Sequence, residues 1–354
     1  IEVFDLLQNG KVKCKLPDSD RLNSGKVVED WLAQQGVHVK ALAKGEEITE
    51  DIEDIAFLIQ KELDRALLHK VKYLVKKTGI KNLCIAGGVG LNAVTNRYLL
   101  DHAGIENIFI QPAAGDSGQC LGNAYFGMFM KDKLNLSRKP ISVYQGREYS
   151  ESEILQALQE KEEYLTYKKM PFEKLASLTA KEIAKDKIIG WFQGKSELGP
   201  RALGNRSLLA DPRDKHMKDI LNLRVKHREY FRPFAPSVLE DQANKWFDCP
   251  VPMPYMIVNA VVLKPSKLAA VTHYDGSARV QTVNKDQNYR YYRVIEEFSK
   301  LTGVPVVIDT SFNDNEAIVE TPKHAIETYL RTGIDVLAMG DYFVTKKKGT
   351  QVRI

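Results

Sequence analysis

Residues 82–100 read NLCIAGGVGLNAVTNRYLL, and residues 107–119 read NIFIQPAAGDSGQ. In each stretch a short apolar run with strand composition ends at small residues and glycines, and a run with helix composition follows. We therefore predict two strand, turn and helix units, with strands over 82–86 and 107–110 and helices over 91–100 and 119–130. Successive units of this kind predict an α/β fold with functional turns at the strand ends.

The rest of the chain continues the alternation of helices and strands. Apolar residues recur at steps of three and four from residue 51 to 78, acidic residues open the stretch, and Gly79 closes it, which predicts a long amphipathic helix. Further on, the spacing of apolar residues predicts helices over 152–161, 172–185 and 322–331, and Thr321-Pro322 is a typical start for the last of these. Runs of β-branched residues predict strands over 188–193, 256–262 and 304–310.

The length of 354 residues favours two domains over a single core. Residues 131–146, KDKLNLSRKPISVYQG, are rich in lysine, serine and proline, so we predict a boundary there, with domains over 1–140 and 145–354. No apolar run is long enough to cross a bilayer, and no secretory signal opens the sequence. We therefore expect a cytoplasmic protein without a membrane partner.

The formal net charge of +5 suits a protein that handles small anions and does not require nucleic acid as a partner. The four cysteines have no CxxC spacing, which gives no sign of a zinc knuckle or a disulfide framework. Cys84 and Cys120 lie among apolar residues and are expected to be small core residues. None of the seven histidines forms an HxxxH or HExxH pair, so no local motif supplies a complete metal site.

Basic residues are concentrated in residues 194–236, GKSELGPRALGNRSLLADPRDKHMKDILNLRVKHREYFRPFAP. Neighbouring glycines and prolines predict loops, and several arginine forks in one pocket can bind two separate phosphate groups. The alternative is a basic surface patch for RNA or for solubility. Against it, apolar residues between the cations would bury the flanks of the loop: Ala202, Leu203, Leu208, Leu209, Phe231 and Phe234.

The two glycine turns are candidate anion sites. Gly87 and Gly88 precede a helix N-terminus, where free N–H groups and the helix dipole favour an anion. Asp116 adds a carboxylate at the second turn, although it could serve only as an N-cap, and a glycine turn could be purely structural. Two such turns in adjacent units favour a shared site for a nucleotide or a metal with phosphate.

Taken together, several segments resemble the NodU-type O-carbamoyltransferase family: residues 86–92 with 112–118, then 190–236, 271–282 and 309–313, in this order. The resemblance implies an α/β chain with an actin and sugar-kinase-like (RNase H-like) domain, present in part, followed by a YrdC-like twisted-sheet α/β domain. It also implies that ATP and carbamoyl phosphate yield carbamoyl adenylate, whose carbamoyl group passes to a hydroxyl of a small acceptor molecule. In the complete family member this transfer uses a divalent metal, iron or magnesium.

The resemblance assigns roles residue by residue. Asp116 matches the metal aspartate. Residues 271–282 resemble a segment that lines the cleft of the second domain, and His273 in this segment has either a structural or a catalytic role there. The nucleotide and phosphate positions are Gly87, Gly88, Asn92, Arg224, Ser311 and Asn313, and the cations expected to act in catalysis are Arg201, Arg206, Lys226 and Arg232.

One part of the family pattern is missing. The family's paired metal histidines lie in the first half of its first domain, whereas residues 1–139 resemble only the second half. We therefore expect this chain to be a fragment of a longer protein. The alternatives are that the missing half is a separate chain, or that this protein has lost the transfer reaction. The expected protein partner is either that half or a second copy of this chain. Other readings are threonylcarbamoyl-adenylate or hydrogenase-maturation chemistry, and an RNA-binding YrdC-like module, which the scarcity of exposed aromatic residues near the basic loop disfavours.

Overall fold

The computed structural model describes residues 1–16, 25–40, 42, 46–132, 142–229 and 231–349. These divide into two compact units, one formed by residues 1–85 and 94–109 and the other by residues 86–93 and 110–354. Most of the segment between the two domains predicted from sequence, residues 133–141, lies outside the described residues.

The first unit is built around one long helix. Its elements are β1 (Phe4–Leu6), β2 (Val12–Cys14), α1 (Gly25–Gln34), α2 (Glu50–Thr78), β3 (Asn82–Ile85), α3 (Ala93–His102) and β4 (Asn107–Ile110). Acidic residues occupy the first turn of α2 and lysines its last turn, which complements the helix dipole. Gly79 ends the helix with a left-handed φ of 69°, so the predicted helix and its glycine stop are confirmed.

The core of the first unit lies against α2 and α3. Val71, Leu99, Ala103 and Ile105 form a buried cluster, and further apolar residues of α2, β3 and β4 pack around it. Strand β1 is tied to α2 by Glu62, which accepts hydrogen bonds from the N–H of Val3 at 2.6 Å and from Arg65. Arg65 holds the pKa of Glu62 at about 2.

The second unit contains a mixed sheet of eight described strands. They are β5 (Leu165–Lys169), β6 (Ile189–Phe192), β7 (Arg206–Ala210), β8 (Ala235–Leu239), β12 (Gln281–Val283), β13 (Val306–Ser311), β14 (Val336–Met339) and β15 (Tyr342–Lys346). Their order is β12-β8-β13-β7-β6-β14-β15-β5, with parallel pairing only for β12 with β8 and for β6 with β14. A smaller antiparallel sheet holds β9 (Phe247–Asp248), β10 (Asn259–Val262) and β11 (Ser277–Arg279).

Helices complete the second unit: α4 (Gln119–Asp132), α5 (Glu151–Gln159), α6 (Phe172–Ile183), α7 (Met217–Leu221), α8 (Tyr289–Thr302) and α9 (Pro322–Arg331). A capping box at Ser150 opens α5. The Thr321 hydroxyl accepts from the N–H of His324, which confirms the predicted start of α9. Helices α6 and α8 pack together, with Leu175 and Phe298 fully buried. The sequence prediction of an α/β fold is confirmed at this level.

Four expectations need correction. Residues 194–236 are not all loop, because they contain β7, α7 and a π-helical turn at Asn222–Lys226. The predicted strand over 256–262 begins at Asn259, since Met256 has a φ of 54°, which is incompatible with extended backbone. Phe231 is about half exposed, unlike the other five apolar residues expected to bury the flanks of residues 194–236.

Cys84 and Cys120 are exposed and are not core residues. Side chains alternate along β3, so Leu83 and Ile85 face the core and Cys84 faces away. Cys120 lies on α4, most of whose residues are exposed. Among the described residues, no helix combines the length and the apolar character that crossing a membrane requires.

Candidate anion-binding site

The loop that carries Arg201 is held in shape by one carboxylate. Oε1 of Glu197 accepts hydrogen bonds from the backbone N–H groups of Leu203 and Asn205, both at 2.7 Å, and of Arg206 at 3.2 Å. Burial raises the pKa of Glu197 despite these donors. Gly204 has a φ of 95°, and a Cβ there would overlap the ring of Tyr291. The loop therefore has a defined conformation.

Four guanidinium groups converge beside this loop, namely those of Arg201, Arg228, Arg232 and Arg279. Burial, together with the charges of Arg201, Arg228 and Arg232, lowers the pKa of Arg279 to about 9. Burial and Arg232 lower the pKa of Arg228 to about 10 and also lower that of Arg201. Like charges depress each other's pKa only when they lie close together. Arg232 also pairs with Glu229 at 3.5 Å, so the positive charge of the cluster is only partly compensated.

Hydrogen bonding in the cluster is incomplete. The Nε atoms of Arg201 and Arg279 are shielded from solvent, and neither has a hydrogen-bond partner among the described residues. Arg228 is better anchored, since its Nε donates to Oδ1 of Asn222 at 3.1 Å and its guanidinium lies over the ring of Phe234. A buried donor without a partner costs about 1–3 kcal/mol. An anion with several oxygen acceptors would satisfy these donors and offset the repulsion.

Lys226, Ser311 and Asn313 are brought together by the π-helical turn and the end of β13. Nζ of Lys226 donates to Oδ1 of Asn313 at 2.7 Å, to the carbonyl of Asn313 at 3.0 Å, and to the hydroxyl of Ser311 at 3.1 Å. Burial, followed by the charge of Arg228, lowers the pKa of Lys226 to about 7. Turns of π-helix are frequent at functional sites, and this one orients Lys226 toward the loop after β13.

Arg206 and Arg224 are engaged elsewhere. Arg206 is fully buried over the ring of Phe192 and donates to the carbonyls of Gln193 at 2.7 Å and of Asn205 at 3.0 Å. Arg224 forms an ion pair with Asp335 at 2.9 Å. Both guanidinium groups therefore hold loops in place in this conformation, and their roles toward phosphate stay predictions.

The two glycine turns are adjacent in the second unit. The N–H of Gly87 donates to the carbonyl of Ala114 at 2.8 Å, and a Cβ on Gly115 would lie 3.5 Å from Cα of Gly88. Gly199 has a φ of 110°, and a Cβ there would lie 2.8 Å from the carbonyl oxygen of Pro112. The loop that carries Arg201 therefore packs directly against the turn before Asp116. Asn92 follows the first turn at the start of α3.

Asp116 is exposed at the start of a short 3-10 turn, Asp116–Gly118. Within the described part of the chain, no group of three or more histidine, cysteine or acidic side chains could hold a metal ion. Tight sites for transition metals need three or four converging ligands. The described residues therefore do not form a metal centre by themselves, and Asp116 as a ligand stays a prediction.

Sequence reasoning did not assign a site role to two members of the cluster. Arg228 was only one cation of the basic stretch, and Arg279 was part of a segment expected to line the cleft. No local pattern marks Arg279 as a neighbour of Arg201, because the two residues are far apart in the sequence. The signal available in the sequence was an arginine between small and apolar residues, in the run SARVQ.

Comparison with known proteins identifies the family of this chain. Residues 3–125 match the family model for the carbamoyltransferase N-terminus, and residues 180–346 match the model for the carbamoyltransferase C-terminus. Together the two models span most of the chain. The chain therefore belongs to the carbamoyltransferase family, whose members are transferases.

Several curated relatives are similar over most of this chain. Nodulation protein NolNO of Sinorhizobium fredii is 40% identical over 319 residues, which cover 87% of this chain and 46% of the relative. Nodulation protein NolO of Bradyrhizobium diazoefficiens is 38% identical over 317 residues, 88% of this chain and 58% of the relative. Nodulation protein U of S. fredii is 34% identical over 290 residues, which cover 81% of this chain and 48% of the relative. The chain spans about half the length of these relatives.

Proposed function

We propose that this chain forms the carbamoyl-adenylating part of an ATP-dependent O-carbamoyltransferase. Its substrates would be ATP and carbamoyl phosphate, and the carbamoyl group would pass to a hydroxyl of a small acceptor molecule. The observation that carries the proposal is the convergence of Arg201, Arg228, Arg232 and Arg279, with two unpaired Nε donors, in a member of the carbamoyltransferase family.

The chemistry explains why such a cluster is needed. Carbamoyl phosphate would lose its phosphate to water and give carbamate, whose oxygen attacks the α-phosphorus of ATP. The bond from that phosphorus to the bridging oxygen breaks, and pyrophosphate leaves. All reactants are anions, so fixed cations are needed to cancel their repulsion in the ground state and to stabilise the charge that develops at phosphorus.

Lys226 has a distinct place in this proposal. Ser311 and Asn313 hold its Nζ at a fixed position, and its pKa of about 7 leaves a large neutral fraction at neutral pH. A phosphate oxygen nearby would favour the charged form and restore the third N–H donor. Lys226 would therefore become positively charged only when an anion is bound, which limits repulsion within the empty cluster.

The domain arrangement belongs to the same proposal. Residues from about 145 onward would form the YrdC-like adenylating domain, and residues 1–140 would form part of an actin and sugar-kinase-like domain that carries out transfer. The glycine turn at Gly87 and Gly88, with Asn92, would contact nucleotide. Asp116 would contribute one ligand to a metal, iron or magnesium, whose remaining ligands come from outside the described residues.

The adenylating step can be tested with isotope exchange. Purified chain is mixed with ATP, magnesium and labelled pyrophosphate, and label in ATP is measured with and without carbamoyl phosphate. We expect exchange only when carbamoyl phosphate is supplied. Arg201→Ala should weaken ATP binding by about 1.5–3 kcal/mol, the range for a lost hydrogen bond to a charged group.

Arg293→Ala is the matched control, because it removes the same charge from a site on α8 that Glu173 and Glu297 neutralise. Exchange that proceeds equally well without carbamoyl phosphate would contradict the proposal. So would equal ATP affinity in Arg201→Ala and in the control. RNA binding with steep salt dependence, in the absence of exchange, would instead favour the RNA-binding alternative.

A further inference from the structure

His273 lies in a tight turn that leads into β11, and one of its two ring nitrogens is already used. Nδ1 lies 3.2 Å from the hydroxyl oxygen of Ser277, and that oxygen accepts a hydrogen bond from the side-chain amide of Asn259 at 3.3 Å. The backbone reinforces the turn, since the N–H of His273 donates to the carbonyl of Ser277 at 2.8 Å. The imidazole therefore has a fixed orientation set by Nδ1.

The second ring nitrogen has no partner. Nε2 of His273 is shielded from solvent and makes no hydrogen bond to any described residue. A histidine whose only role is structural normally satisfies both ring nitrogens, because a buried polar atom without a partner costs about 1–3 kcal/mol. The orphaned atom therefore points to a group that the protein itself does not supply.

The position of His273 indicates which group that is. Ser277 and Arg279 are two residues apart on β11, so their side chains lie on the same face of the strand. The ring bonded to Ser277 therefore lies on the face that carries Arg279, whose own Nε is also unpaired. Two neighbouring donors without acceptors would be satisfied by one ligand with several oxygens.

The charge state of the ring fits this role. Burial lowers the pKa of His273. The nearby carboxylate of Asp275 opposes this shift and the charge of Arg279 adds to it, so the net shift favours the neutral ring. A neutral imidazole carries one N–H. Because the Ser277 oxygen already accepts from Asn259, its hydroxyl proton is available to Nδ1, and in that arrangement the ring N–H lies on Nε2. Four guanidinium groups already repel one another here. A neutral donor adds a hydrogen bond without adding charge.

We infer that Nε2–H of His273 contacts the substrate directly, donating to a phosphoryl oxygen of the anion that Arg279 holds. Ser277 and Asn259 act as positioning residues for this donor through Nδ1. The inference rests on the proposed function insofar as the anion belongs to ATP or pyrophosphate. It adds a contact of defined geometry to the arginine cluster.

Two substitutions separate contact through Nε2 from a role of Nδ1. The side-chain amide of glutamine in His273→Gln reaches the position of Nε2, whereas that of asparagine in His273→Asn reaches only that of Nδ1. Inorganic pyrophosphate is titrated into the full chain by calorimetry, which does not depend on carbamoyl chemistry. We expect His273→Gln to bind within about threefold of the unmodified chain, and His273→Asn to bind about tenfold or more weakly, a change of about 1.4 kcal/mol.

Three results would overturn the inference: equal binding by both variants and the unmodified chain, better retention in His273→Asn than in His273→Gln, or no pyrophosphate binding by the unmodified chain. If neither variant folds, ¹⁵N NMR of the unmodified chain decides. The Nε2–H tautomer with a shift of Nε2 on addition of pyrophosphate is expected, and an unchanged Nε2 signal contradicts it. Failure of the proposed function is distinguishable, because it removes carbamoyl-phosphate-dependent exchange and leaves the pyrophosphate titrations intact.

Discussion

Nζ of Lys226 lies 2.7 Å from Oδ1 of Asn313, a residue 87 positions further along the chain. This bond joins the π-helical turn at Asn222–Lys226 to the loop that follows β13. Burial of Lys226, followed by the charge of Arg228, lowers its pKa to about 7, although the nearby carboxylates of Glu316 and Asp314 favour the charged form. We therefore expect the site to take up a proton near neutral pH when an anion binds.

The first prediction is that ATP binding takes up protons on the alkaline side of this pKa. Near pH 8 Lys226 is mostly neutral in the free chain, and a bound anion raises its pKa, so about one proton should be absorbed. Near pH 6 Lys226 is already charged and contributes no uptake. Calorimetry in buffers with different ionisation enthalpies measures the proton count.

Lys226→Met provides the comparison, because methionine has similar length and does not titrate. The uptake near pH 8 should be absent in this variant. The same proton count in both chains would mean that Lys226 stays charged without ligand, and the lowered pKa would then not describe the site.

The second prediction concerns Asp309, a buried carboxyl on β13. Its Oδ2 contacts the hydroxyls of Ser237 at 3.2 Å and of Tyr291 at 3.0 Å, while burial raises its pKa well above the usual value of 3.8. The folded chain therefore binds a proton that the unfolded chain releases, so this group reduces stability as pH rises above about 4. Asp309→Asn, which cannot titrate, should gain stability relative to the unmodified chain as the pH rises above about 4.

Thermal unfolding of both chains at matched pH values measures this difference. Because all other titrating groups are shared, their contributions cancel in the comparison. If the stability difference stays constant with pH, or if Asp309→Asn becomes less stable than the unmodified chain as the pH rises, Asp309 is ionised in the folded chain.

The sequence supported much of the fold because its local signals agree with the tertiary structure. The helix before Gly79, the strand at 107–110 and the start of α9 at Thr321 and Pro322 each rest on a short pattern, and all three are present. The sequence does not predict strand β7, because its five residues are all buried and begin with Arg206, whose burial depends on backbone acceptors such as the carbonyl of Gln193. The site could be predicted only in part, because Arg279 and Arg201 are far apart in the sequence and no local spacing indicates that they lie close together.

The third prediction tests how the loop with Arg201 is held. Glu197 accepts from three backbone N–H groups through one oxygen, so Glu197→Ala leaves three donors without that acceptor. We expect a loss of about 2–4 kcal/mol in the free energy of unfolding, measured with urea. Glu197→Gln keeps an oxygen acceptor at the same place and should lose clearly less. Equal stability of the two variants would show that the loop keeps its shape without this acceptor.

The fourth prediction concerns the contact between Gly199 and Pro112. A Cβ at position 199 would lie 2.8 Å from the carbonyl oxygen of Pro112, and the φ of 110° is unfavourable for any other residue. Gly199→Ala should therefore displace the loop, move Arg201 and weaken ATP binding by about tenfold, or 1.4 kcal/mol. Gly303→Ala is the control for backbone strain alone, because Gly303 also has a positive φ, 73°, but no neighbour within 4 Å of the added Cβ. It should lower the melting temperature and leave ATP affinity unchanged. If Gly199→Ala also lowered only the melting temperature, the packing of this loop against the turn before Asp116 would have no part in forming the anion site.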